Sequence, residues 1–226
     1  MKSLTAVALI ISSVLLSSQA QADSANGVAI KAGSAGAGIE YYTGISDNVN
    51  LRFGINGFNY DDDFTENDIT YEAEIQLRSA SVVFDYHPWD SSSFRLSAGA
   101  YYNGNKVNAA AQAIDGEYEF NGDVYQVEDV ASADGKIEFK KVAPYIGFGW
   151  SASPTSTSSW AFNLDIGAFY QDTPESQLNV TCGAALEQTL CDQLLADVRI
   201  EQDKLEEDIQ EYKWYPVVTL GVLYRF

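Results

Sequence analysis

The segment KWYPVVTLGVLYRF, residues 213–226, separates its side chains onto two faces. One face is apolar, with aromatic residues near both ends: Trp214, Pro216, Val218, Leu220, Val222, Tyr224 and Phe226. Because successive side chains of a β-strand point to opposite sides, the pattern predicts a strand with one apolar face. Aromatic residues at the ends of such a face are typical of the two girdles of a membrane-spanning β-barrel.

Seven upstream segments repeat this alternation. They are centred on residues 28–31, 39–41, 51–55, 80–86, 94–102, 142–150 and 160–170. The first is the weakest, but a single-chain bacterial barrel needs an even number of strands. The sequence therefore predicts eight strands.

The connections between these segments alternate in length. Short ones lie near residues 46–48, 88–93 and 151–159, whereas the long ones are 61–71, 104–138 and 172–212. Membrane barrels have short periplasmic turns and longer external loops. We therefore predict an all-β fold, an eight-stranded antiparallel up-and-down transmembrane β-barrel. The alternative is a soluble periplasmic β-sandwich.

The amino terminus has the three parts of a secretory signal peptide. Lys2 precedes an apolar run, and small residues close the segment at Ala20 and Ala22. We expect residues 1–22 to be the signal peptide and residues 23–226 the barrel domain. The alternative is an N-terminal membrane helix, for which the run is short.

The carboxyl-terminal strand resembles the last strand of proteobacterial outer-membrane β-barrel proteins. Tyr224 and Phe226 match their C-terminal signal, and the segments 141–150 and 213–218 are similar to strands of this group, which has the scale of the small OmpA, OmpX and OmpW barrels. The resemblance implies the cell outer membrane as the location. It also implies contact with outer-membrane lipid and lipopolysaccharide, and with the barrel-assembly machinery during insertion.

The chain is strongly acidic. Without residues 1–22 it has 12 basic and 32 acidic residues, a net charge of −20. This charge argues against nucleic acid as a partner. The acidic run 61–68 is expected to be a solvated loop; a calcium loop is the alternative, although the run lacks the EF-hand order. The acidic loops are hypothesised to bind lipopolysaccharide phosphates through divalent cations, which a chelator would disrupt.

The inward-facing positions of the predicted strands include charged residues. They are Lys31, Glu40, Arg52, Asp85, Arg95, Asp165 and Arg225. Four bases and three acids nearly cancel, which suits a filled polar interior because unpaired buried charges are costly. We predict a barrel-interior charge network of these seven residues. An open pore is the alternative.

The last two long loops carry local structure of their own. Alternation around Asn121-Gly122 predicts a β-hairpin that projects from the barrel. Residues 192–212 predict a helix with an apolar stripe; its stripe comprises Leu194, Val198, Leu205, Ile209 and Tyr212. The helix packs on the rim or, alternatively, binds a partner. Cys182 and Cys191 are expected to form a disulfide in an oxidising compartment, with two free thiols as the alternative.

No cluster of chemistry-bearing residues predicts an enzyme. His87 is the single histidine and lies beside Pro88 at a predicted periplasmic turn. We expect neither a catalytic residue, a cofactor nor a metal. The predicted role is structural, or one of surface interaction through the acidic loops, with a surface partner. The alternatives are a narrow channel for small solutes and an envelope lipid-modifying enzyme dependent on His87.

Overall fold

The computed structural model describes residues 26–66, 69–89, 92–113 and 117–226. The expected signal peptide, residues 1–22, lies outside the described residues. In chain order the elements are β1 (Gly27–Gly33), β2 (Gly36–Ser46), β3 (Val49–Glu66), β4 (Ile69–Tyr86), β5 (Phe94–Asn103), β6 (Lys106–Ala113), β7 (Glu117–Phe120), β8 (Asp123–Gln126), a 3-10 turn (Val127–Asp129), β9 (Val130–Glu138), β10 (Val142–Trp150), β11 (Trp160–Tyr170), β12 (Glu175–Cys182), α1 (Gln188–Ile209) and β13 (Trp214–Arg225).

Eight of the strands close into an antiparallel barrel. The wall runs in the order β1-β2-β3-β4-β5-β10-β11-β13, and β13 pairs with β1 from Gly27↔Arg225 to Gly33↔Thr219. The predicted eight-stranded up-and-down barrel, including its first strand, is confirmed.

The outside of the barrel is an apolar band between aromatic residues. Along β13, Val218, Leu220 and Val222 are exposed, whereas the residues between them are buried. At the end with the short turns, the rings of Trp160 and Tyr224 lie 4.8 Å apart. At the opposite end, which we call the outer rim, Tyr170 and Trp214 make an edge contact at 5.1 Å. A band of this kind is what a membrane-spanning barrel presents to lipid.

The wall continues past the outer rim on one side. β3 and β4 remain paired up to Glu66↔Ile69, and β6, β9 and β12 extend this pairing into an outer sheet of order β3-β4-β6-β9-β12. The regions 61–71, 104–138 and 172–212, expected to be loops, therefore contain strands. The reason is that backbone pairing with the neighbouring strand continues beyond the apolar band, where polar residues replace apolar ones on one face.

The hairpin and the helix form near their predicted positions. β7 and β8 pair across Asn121 and Gly122, both of which have the positive φ that a tight hairpin requires. The helix α1 spans Gln188–Ile209 instead of 192–212. It ends early because the chain turns back to the wall, where the Gln171 side chain donates to the Tyr212 carbonyl. Across the described ranges, no helix is long and apolar enough to cross a membrane.

Candidate functional site

Arg52 is the centre of a charged layer across the barrel interior. It lies within 3.2 Å of Glu40, 2.7 Å of Asp85 and 3.1 Å of Asp165, contributed by three different strands. All four side chains are almost fully buried. Strand alternation turns them inward, and the carboxylates offset the cost of burying the guanidinium.

Two further bases complete this layer. Arg95 lies 2.7 Å from Asp165 and 3.4 Å from Asp85, and Lys31 lies 2.6 Å from Glu40. The layer thus contains three bases and three acids, with no net charge. The structure brings together six of the seven residues predicted to form the interior network.

Arg225 is not part of this layer. Its guanidinium donates to the carbonyls of Ser153, Pro154 and Ser156, at 2.6–3.0 Å, in the turn between β10 and β11. Arg225 has the same parity along β13 as the inward-facing residues. It lies near the end of the strand, however, too far along it to reach the acids. Arg225 holds a turn at the barrel end instead.

An aromatic layer lies on the outer-rim side of the charged layer. Tyr101 contacts Tyr145 and Phe169 with ring centroids 5.2 and 5.1 Å apart, and Tyr215 stacks on Phe169 at 4.8 Å. Tyr101, Tyr145 and Phe169 are buried. These aromatic residues have the same inward parity as the charged ones, so strand alternation is the signal that could have predicted this layer.

The other side of the charged layer is also packed. Tyr42 is buried with Ala29 and Leu223, and its hydroxyl donates to Glu40 at 2.9 Å. His87 follows β4 at the end with short turns, as predicted, but it is buried. Its ring nitrogens lie 3.1 Å from the Ser92 carbonyl oxygen and 3.4 Å from the Asn50 amide nitrogen. These contacts give His87 a packing role.

Beyond the outer rim, a second core joins α1 to the outer sheet and the hairpin. Leu194 and Val198 are buried against Tyr118 and Tyr125. Of the predicted stripe, Leu205 and Ile209 are partly buried, and Tyr212 is exposed beyond the end of the helix. The helix also covers the edge strand β12, because the Gln202 side chain accepts the Leu178 N–H at 3.2 Å. A covered edge cannot pair with another chain.

One buried polar contact and one disulfide fix the position of α1. The Tyr125 hydroxyl donates to Asp197, and the Asn121 amide donates to the same carboxylate at 3.2 Å. These two hydrogen bonds lower the pKa of Asp197, while burial and the Asp197 carboxylate raise the pKa of Tyr125. Cys182, at the end of β12, is joined to Cys191 in the first turns of the helix.

The acidic residues lie on the sheet face opposite α1. A groove of about 390 Å³ on this face is lined by acids from three strands. They are Asp61, Asp63, Glu72, Glu74 and Asp134. Within the described ranges, no three His, Cys, Asp or Glu residues are placed to hold a metal ion. The start of the acidic run, expected to be a solvated loop or alternatively a calcium loop, continues strand β3 up to Glu66.

Comparisons with known proteins show the fold. No protein-family model matches the sequence, and none of the curated proteins matches it. The crystal structure of Acinetobacter baumannii CarO2 is similar with a TM-score of 0.56 and 21% identity, over 89% of this chain and 98% of that chain. The crystal structure of Acinetobacter baumannii CarO gives 0.55 and 23%, over 88% and 97%. The chain thus has the fold of an outer-membrane β-barrel with one helix late in the chain.

Proposed function

We propose that the protein is a closed outer-membrane barrel that anchors an extracellular domain made of the outer sheet, the β7–β8 hairpin and α1. Its role is structural or one of surface contact, and it is not an enzyme. The observation that carries the proposal is the barrel interior, where the charged layer around Arg52 and the aromatic layer around Tyr101 fill the same lumen in succession. An eight-stranded barrel has room for side chains and little else.

The position of the extracellular domain supports a contact role. Nearly all of the structure outside the wall lies beyond the outer rim, and it has its own apolar core around Leu194. Loops that only joined wall strands would need no such core. Exposed parts of a rigid scaffold commonly carry binding functions.

Planar-bilayer conductance separates this proposal from the narrow-channel alternative. The refolded protein should give no single-channel steps, and flotation with liposomes provides the check that it has inserted. Tyr101→Ala combined with Phe169→Ala should remain silent, because the charged layer still closes the lumen. Reproducible steps from the unaltered protein would overturn the closed-barrel proposal in favour of a channel.

Location and orientation are tested on intact cells. An epitope inserted between Asn121 and Gly122 should be accessible to external antibody. The same epitope between Asp47 and Asn48, in the short turn at the opposite end of the barrel, is the matched control and should become accessible only after the outer membrane is permeabilised. The reverse result would overturn the proposed orientation.

A further inference from the structure

Five of the 13 Lys and Arg residues lie close together at the outer rim of this acidic chain. They occupy the wall strand β4, the outer-sheet strands β6 and β9, and the link between β9 and β10. These five residues, the rim patch, are Arg78, Lys106, Lys136, Lys140 and Lys141. Such concentration of positive charge is unexpected in a chain with a net charge of −19.

The rim patch lies directly beyond the apolar band. Along the outward face of β4, Phe84, Val82 and Ala80 are followed by Arg78, about 7 Å farther at the usual rise of a strand. On the neighbouring strands, Tyr102 is paired with both Ala80 and Val142. Tyr102 and Val142 are more than half exposed. The surface under the rim patch is therefore apolar and open to lipid.

The positive charge of the rim patch is only partly neutralised. Glu138 accepts ion pairs from Lys136 at 3.0 Å and Lys141 at 3.8 Å, and Lys140 lies 2.8 Å from Asp172. In the part of the chain that the structure describes, Arg78 and Lys106 form no ion pair. Five bases with two contacting acids give the rim patch an excess of three positive charges. Its nearest further acid is Glu74, whose pKa is lowered by hydrogen bonds from Gln76 and Asn108 and by the charges of Lys106 and Arg78.

The hydrogen bond from Lys136, together with the charges of Lys141 and Lys106, lowers the pKa of Glu138. The bases therefore act on the same point of the surface. Farther from the barrel, the outward face becomes acidic at Glu74, Glu72 and Asp134. An anion is attracted at the rim and repelled beyond it.

We propose that the rim patch binds the phosphate groups of a phosphorylated lipid of the outer leaflet, whose acyl chains lie on the apolar wall at Ala80, Tyr102 and Val142. Positive charge directly above an apolar surface matches an amphiphile with an anionic head group. Arg78 offers the planar guanidinium that suits phosphate. This inference rests on the proposed outer-membrane placement and replaces the acidic loops with the rim patch as the lipid contact.

The test measures binding of purified bisphosphorylated lipid A to the protein in detergent micelles by native mass spectrometry. Each base near a lipid surface strengthens binding by about fivefold, so Arg78→Gln, Lys106→Gln and Lys141→Gln together should weaken it by about 100-fold. The matched control is Arg199→Gln with Lys204→Gln, two exposed bases on α1, and it should bind as the unaltered protein does. Dephosphorylated lipid A should bind the unaltered protein as weakly as the triple variant binds lipid A.

Three outcomes would overturn the proposal: unchanged lipid A binding by the triple variant, equal binding of dephosphorylated lipid A, or binding of inorganic pyrophosphate as tight as that of lipid A. The heat-dependent gel shift checks that the triple variant folds. If it does not, Lys106→Gln alone should still give a loss of about fivefold. Failure of the closed-barrel proposal would appear as conductance, which this assay does not depend on.

Discussion

Side chains alternate between two faces along the whole of β4, but the polar face of one half of the strand is the apolar face of the other half. In the barrel half, Ser81 and Asp85 point inward and Val82 points outward to the apolar band. In the outer half, Ile75 faces the side of α1, while Glu74 faces the acidic groove. The geometry of the strand does not change, but the surroundings of its faces do. The inversion at Arg78 therefore marks where the lipid-facing surface ends.

The barrel and the domain beyond the outer rim also differ in the interactions that stabilise them. The barrel interior depends on ion pairs around Arg52, whereas the proposed extracellular domain depends on apolar packing around Leu194. A charged core is intolerant of losing one partner, since the remaining charges stay buried. An apolar core loses stability when buried side-chain volume is removed. Substitutions in one core should therefore change the stability of that core without changing that of the other.

The largest effect is expected from Arg52→Ala. Three carboxylates would lose their shared partner, and the free energy of unfolding should fall by about 3–5 kcal/mol. Urea unfolding in micelles, followed by tryptophan fluorescence, measures this because all four Trp residues lie in wall strands or in the turn after β4. Arg199→Ala on α1 is the control and should leave the transition unchanged. A shift below about 1 kcal/mol for Arg52→Ala would contradict a charged core.

Leu194→Ala should open the extracellular domain without affecting the barrel. The cavity should cost about 2–5 kcal/mol, and hydrogen exchange of the α1 amides should quicken while the tryptophan transition stays in place. Leu190→Ala, on the same helix but 47% exposed, is the matched control and should change little. A joint shift of both measurements would mean that the two cores unfold as one unit.

Replacing the disulfide should loosen one end of α1. Cys182 and Cys191 are nine residues apart, and closing a loop of about ten residues stabilises a fold by roughly 2–3 kcal/mol. Cys182→Ser with Cys191→Ser should therefore speed exchange at the start of the helix more than at its end. Reducing the unaltered protein should reproduce this change, whereas the double variant should not respond to reductant. If hydrogen exchange became faster by the same factor along the whole of α1, the disulfide would not act locally at the start of the helix.

Strand alternation predicted the barrel well because lipid imposes it on every wall strand. It also identified the six charged residues of the interior layer, Arg52 and the five that surround it. It did not reveal that pairing continues past Tyr60, because a run of acids in an extended strand has the composition of a solvated loop. Nor did it reveal the partners of Arg225, since these are backbone carbonyls, which leave no trace in the sequence.

The smallest effect concerns the contact between Tyr125 and Asp197. The pKa of Asp197 is lowered in the fold, so its contribution to the docking of α1 is complete above its usual pKa of 3.8 and is lost as the pH falls through the lower folded value. The pKa of Tyr125 is raised, so its contribution is constant below about 10 and adds nothing to the change in acid.

Hydrogen exchange of α1 between pH 6 and pH 2, corrected for intrinsic rates, should therefore show protection that declines in acid. Asp197→Asn should weaken protection at pH 6 and flatten the decline, because the variant side chain does not titrate. Asp203→Asn, which changes an exposed acid of the same helix, should retain the decline. If Asp197→Asn declined in acid as steeply as the unaltered protein, the pH dependence would belong to the general acidity of the domain and not to this buried contact.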